Sequence, residues 1–283
     1  MSLNAVYLIS IILGLSLQNA MKKGYTKKSG GGVYLFGVLT CLAAALFFVV
    51  TSEGLEWNAK VLPYSLAFAT AYTTTTISSV FAIQCGSLSL TNLIVSYSLM
   101  IPALYGLIFL DEAIRFGFYP GIVLLIFSLF LINKTDAREP VNVKWLIYAF
   151  LAFVGNGMCT VFQKMQQVAF GGAYKNELMI IALLMGAIVL FVVSLIKEKK
   201  QIGTYVKKGW IFGLLSGVFN GTVNLFVMIL SGKMSASLMF PLISAGGIIM
   251  TYFISRWIYK EELTKRQLIG FVLGIASVIF LNI

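Results

Sequence analysis

Apolar runs of about twenty residues, broken by short charged or Gly/Pro-rich connections, fill the chain from end to end. They lie near residues 3–21, 31–51, 61–82, 87–109, 115–133, 144–163, 177–196, 209–230, 235–257 and 267–283. A helix rising 1.5 Å per residue needs runs of this length to cross a hydrocarbon core of roughly 30 Å. The pattern therefore predicts an all-α integral membrane protein with ten transmembrane helices. The first run starts at Leu3 with no basic leader and no small-residue cleavage site, so it is expected to be a retained span.

Composition removes the soluble alternative. Hydrophobic residues make up 59% of the chain and charged ones 11%, where a soluble domain carries about 25% charged residues; the mean hydropathy is +0.92. The net charge of +11 resides in the connections, so it speaks for orientation and not for a nucleic-acid partner. With the N-terminus outside, the cytoplasmic connections hold sixteen Lys and Arg and the others five. This predicts both termini outside a cell membrane, taken to be a bacterial inner membrane. Cys41, Cys85 and Cys159 are widely spaced, without metal or redox spacing, and are expected to be free thiols.

The chain also repeats itself. At an offset of 149, Glu112 meets Glu261, Gly121 meets Gly270 and Asn133 meets Asn282. Residues 1–135 and 142–283 are read as two five-helix units. Five is odd, so the second enters the membrane from the opposite side and the repeats are inverted. Proteins of this construction bind solute near the bilayer midplane between the repeats and alternate access around it.

The close of each half, LDEAIRFGFYPGIVLLIFSLFLIN and YKEELTKRQLIGFVLGIASVIFLN, resembles the terminal segment of the drug/metabolite transporter superfamily, in the branch with two EamA-type repeats. The resemblance implies a ten-helix basket that moves metabolites such as amino acids, sugars or nucleotide sugars, often outward, and many relatives place both termini in the cytoplasm. The related small multidrug pumps carry a glutamate in their first helix. Span 1 here has none, which argues against proton-driven cation export.

All ten carboxylates fall in connections and histidine is missing from the chain. Proton relays and acid/base or metal enzymes need such groups inside, so neither an enzyme, a cofactor nor a metal is expected. The interior does hold neutral polar groups. The stretch AYTTTTISS (71–79) puts seven hydroxyls in nine positions. The offset sets Thr75 opposite Asn224, and Ala71 opposite Asn220. Asn220 and Asn224 are four apart and share a helix face, which must turn from lipid because unpaired amides there cost several kcal/mol each. Tyr72, Thr75, Tyr97, Asn156, Asn220, Asn224 and Ser244 are the expected lining of a polar cavity; the other hydroxyls of the run are expected to glue helices. Gln18, Asn19 and Gln163 are expected at the water interface or in the cavity.

Gly213, Gly217 and Gly221, and Gly270 with Gly274, have the four-residue spacing of close helix packing. Pro102 and Pro241 are expected kinks. The reading is a secondary transporter of a small polar organic metabolite such as an amino acid, with the solute and the lipid bilayer as partners and a monomer or weak homodimer as the unit. Two alternatives stay open: an anionic or sugar-type solute held by Lys164 and Lys233, and a lipid-handling protein.

Overall fold

The computed structural model describes residues 3–52, 54–109, 116–133, 142–231 and 236–280. Among them run α1 (Leu3–Ser29), α2 (Val33–Thr51), α3 (Leu62–Cys85), α4 (Leu88–Ser96), α5 (Met100–Phe109), α6 (Phe118–Asn133), α7 (Val143–Ala169), α8 (Lys175–Lys197), α9 (Ile202–Ser231), α10 (Ala236–Tyr259) and α11 (Lys265–Phe280). The described residues contain no strand. Six helices among them are long and apolar enough to cross a membrane, within 4–29, 33–51, 59–85, 143–169, 175–197 and 199–227. Lys233 lies outside the described residues, as do Asp111, Glu112 and Asn282 of the repeat signature.

Two departures from the apolar pattern have local causes. First, α1 continues to Ser29, so Lys22 and Lys23 lie inside the helix and not in a connection. Lysine is a good helix former, and Lys27 and Lys28 sit in the last turn, where cations favour the negative end of the helix dipole. The helix stops where Gly30 (φ 71°) and Gly32 (φ 76°) take left-handed conformations closed to most side chains. Second, the fourth expected span is two helices, α4 and α5, joined by a 3-10 segment at Tyr97–Leu99. Pro102 follows one turn later, and it lacks the N–H that would bond the carbonyl of Ser98.

The helices pack in pairs. α1 and α2 both lie against α9, α3 lies against α7 and α8, α2 against α8, α6 against α11, and α1 against α10. Small residues set the closest approaches. A Cβ on Gly155 of α7 would stand 2.5 Å from Thr75 Oγ1 and 3.0 Å from the Ala71 carbonyl oxygen. On α9, a Cβ on Gly213 would meet Leu39, one on Gly217 would meet Ala43 and the Thr40 carbonyl, and one on Gly221 would meet Phe47. The glycine stripe of α9 is thus a groove filled by α2, as its spacing predicts.

Candidate functional site

Inward faces follow from helix periodicity and from what each stripe touches. On α3, Thr70, Thr74, Ile77 and Phe81 form one stripe. Its lower part packs with Tyr25 of α1, Phe36 of α2 and Phe212 of α9, so the stripe faces other helices and not lipid. Thr70 and Thr74 on that stripe are nevertheless exposed. On α7, Asn156, Thr160 and Gln163 share a face and are partly exposed. On α9, Asn220 is buried and Asn224 partly so; both look between α1 and α2, whose contacts flank them at Val223 and at Gly217 and Gly221. On α10, Ser244 shares a face with Thr251 and Ser255.

The hydrogen bonds show which polar groups are used and which are left open. Asn156 Nδ2 donates to Ser98 Oγ at 2.7 Å, and Gln163 Nε2 points at Met179 Sδ at 3.5 Å. Asn224 Nδ2 donates to the Asn220 carbonyl one turn back at 2.8 Å, so an asparagine can serve itself on its own helix in the way a threonine does. Asn224 Oδ1, Asn220 Nδ2 and Asn156 Oδ1 have no partner among the described residues.

Three expected lining residues lie elsewhere. Thr75 donates to the Ala71 carbonyl at 2.9 Å and is wedged against Gly155, at the closest approach of α3 and α7. Tyr72 stacks on Phe68, centroids 5.9 Å apart, and packs on the cluster that α2, α3, α7 and α8 build. Tyr97 is 2% exposed; its hydroxyl lies 2.7 Å from Ser128 Oγ, which donates to the Gly270 carbonyl at 2.7 Å. The tyrosine therefore ties α6 and α11 to the break between α4 and α5. Lys164 is partly buried on α7, one residue beyond Gln163.

At one end of the bundle the interior is closed by a polar lock. Lys23 Nζ stands 3.1 Å from Glu261 Oε1 and donates to the carbonyls of Ile83 (3.2 Å) and Gly86 (3.3 Å) at the end of α3. Glu261 also accepts from Ser87 Oγ (2.9 Å), from the Leu88 N–H (3.1 Å) at the start of α4, and from Ser255 Oγ of α10. Tyr259 donates to the Ala20 carbonyl at 2.5 Å, beneath Lys27. Burial pushes the Glu261 carboxyl up, but the bonds from Ser255, the Leu88 N–H, Lys23 and Ser87 outweigh it and hold it below the usual glutamate range. At the same end Glu198 accepts from the N–H groups of Tyr34 (3.1 Å) and Leu35 (3.0 Å), capping α2. These two connection carboxylates are helix caps.

Just inside the lock, Asn19 Nδ2 donates to Asn92 Oδ1 at 2.6 Å, and Lys22 Nζ to Asn19 Oδ1 at 3.4 Å. Residues Lys22, Asn92, Thr70 and Thr160 were absent from the expected site. Lys22 reads in sequence as the end of a span, and Asn92 and the two threonines carry no spacing that sets them apart from other polar positions in the apolar runs. Among the described residues no group of His, Cys, Asp and Glu could hold a metal ion.

Long apolar helices packed around polar inward faces define a multi-pass helical membrane protein. Its second half places it more narrowly: residues 143–283 match the EamA-like transporter family. Along its whole length the chain shares its fold with a solved crystal structure, described only as that of a protein, with a TM-score of 0.67 over 97% of each chain at 10% identity. Comparison with curated protein sequences finds no match.

Proposed function

We propose that this chain is a secondary transporter of a small polar organic solute, built as two inverted five-helix repeats, residues 1–135 and 142–283, that alternate access around a polar cavity. Ten membrane-crossing units fit this plan when α4 and α5 are counted as one interrupted span. The packing is consistent with exchange of the halves: α1 against α9 answers α7 against α3, and α1 against α10 answers α7 against α4 and α5. α2 with α8, α6 with α11 and α4 with α10 are each a pair of counterparts.

The observation that carries the reading is where this exchange fails. α1 also closes onto α3 and α4, whereas among the described residues α7 makes no comparable closure onto their counterparts α9 and α10. Related repeats in unequal positions would leave one end shut, at the lock of Lys23 and Glu261, and the other open, where Thr70 and Thr74 are exposed. That is the arrangement of a carrier in one of its two access states. The shut end holds the lysine-rich connections, so the charge bias makes it the cytoplasmic end.

Asn156, Asn220, Asn224 and Ser244 supply the proposed lining, with Thr70 and Thr74 facing them. Their role is to orient the solute through amide and hydroxyl groups left open. Tyr72, Thr75 and Tyr97 enter the reading as the packing that holds α3 and the α4–α5 break in place. The test is counterflow of labelled amino acids, sugars and nucleosides in liposomes containing the purified protein. Flux of at least one solute above that of empty liposomes is expected. Flux equal to empty liposomes across the panel overturns the reading.

A further inference from the structure

Lys22 and Lys23 are neighbours on α1, yet only one of them has an acid. Lys23 is bound to Glu261 and two carbonyls; Lys22 makes one long bond, to Asn19 Oδ1, and no carboxylate pairs with it among the described residues. Its direction is set by its helix. Leu15, Asn19, Lys22 and Thr26 share a stripe bounded by the α9 contact at Gly14 and the α10 contact at Ser16. The opposite face of α1, with Val6 and Leu13, is exposed and apolar, as a lipid face is. Lys22 therefore points into the bundle.

We infer that Lys22, Asn19 and Asn92 form a subsite for the carboxylate of a transported zwitterion or organic monoanion. The inference rests on the transporter reading above and names the solute class it takes. The donors outnumber the acceptors there. Lys22 Nζ keeps N–H groups unused, and Asn92, whose Oδ1 takes the bond from Asn19, has no acceptor for its Nδ2 among the described residues. The Asn19–Asn92 bond fixes both amides and joins α1 to α4. A partly buried ammonium without a counter-ion is costly to keep out of bulk water, and an entering carboxylate removes that penalty with charge-assisted bonds. One uncompensated positive charge matches one negative charge. A phosphate dianion would need a second cation, and Lys23 is already committed to Glu261. The subsite lies directly above the lock, so a solute seated on it touches the two helices, α1 and α4, that must part for the shut end to open.

The experiment is a thermal-shift and counterflow comparison on the full chain in detergent and in liposomes. The probes are L-phenylalanine, L-serine and L-alanine, their decarboxylated amines, their methyl esters, and inorganic phosphate. The expected result is a shift and flux with at least one carboxylate form and not with its amine or ester. A fall of about tenfold or more in affinity is expected for Lys22→Ala, with partial recovery in Lys22→Arg and wild-type affinity in Lys28→Ala, which alters an exposed lysine at the end of the same helix. Binding of amines or esters as tight as of the parent acids overturns the inference while leaving the transporter reading intact. So does a shift with phosphate alone, or wild-type affinity in Lys22→Ala. Lack of flux for every solute in the wider panel, by contrast, removes the transporter reading and this inference with it. A monodisperse elution profile and an unshifted unliganded melting temperature serve as the folding check, and Lys22→Arg keeps the test decisive if Lys22→Ala does not fold.

Discussion

The first helices of the two halves, α1 and α7, occupy equivalent places and behave differently. Each lies along the third helix of the other half, α1 on α9 and α7 on α3, through a glycine contact: Gly14 meets Val223 and Gly155 meets Thr75 and the Ala71 carbonyl. Beyond that shared contact they diverge. α1 carries Lys23 into a network with Glu261, Ser87 and Ser255 that leaves the shut end well bonded. α7 carries Asn156 and Gln163, whose amides are only partly used. Where polar groups inside an apolar bundle are satisfied by one another they hold helices together; where donors and acceptors are left open they are available to a ligand or water.

The largest effect is expected from opening the lock. Glu261→Ala leaves Lys23 without its acid and the Leu88 N–H at the start of α4 without its acceptor, at a cost of about 3 kcal/mol for breaking a largely buried pair; a drop in melting temperature and a loss of counterflow measure it. Next, Gly155→Ala drives a Cβ to 3.0 Å from a backbone oxygen, whereas Gly14→Ala meets the side chain of Val223 at 2.7 Å. Overpacking costs about 1–3 kcal/mol, and the α7 variant should lie at the upper end of that range because backbone cannot turn aside. Equal melting temperatures of the two variants would break the comparison.

The lock should also be sensitive to acid. The Glu261 carboxyl titrates below the ordinary glutamate value in the folded protein, so its stabilisation is present above the unfolded value of about 4.3 and is lost as pH falls through the lowered folded value. Melting curves from neutral to strongly acidic pH should show this loss in the wild type and a weaker one in Glu261→Gln. Truncating one open amide, as in Asn220→Ala or Asn156→Ala, should slow counterflow about fivefold, the worth of about 1 kcal/mol for one neutral hydrogen bond, with the melting temperature little changed. The smallest effect is expected for Tyr97→Phe. It removes the hydroxyl held by Ser128, lowers stability by about 1 kcal/mol and leaves counterflow unchanged.

Much of this was legible in the chain, and the exceptions share a cause. The apolar runs located the helices, the spacing of Gly213, Gly217 and Gly221 announced a packing groove, and Asn220 with Asn224 announced a polar face on α9. Tyr72, Thr75 and Tyr97 were equally plausible on sequence but face packing, because a membrane helix is apolar toward lipid and toward its neighbours alike. Hydrophobic periodicity then says little about which side turns inward. Lys22 was hidden differently, counted with the basic residues of a connection because charge usually ends a span.

The amino-acid sequence by itself determined that this chain is a stack of long apolar helices with neutral polar groups inside and its basic charge at one end. Local propensity, run length and composition suffice for that. Tertiary structure decided which lysine of an adjacent pair is neutralised, which hydroxyls are consumed in packing, and where a buried ion pair ties the helices together. Those outcomes depend on how each helix is rotated against the others, and residues far apart in the chain, such as Lys23 and Glu261, set that rotation only when they meet.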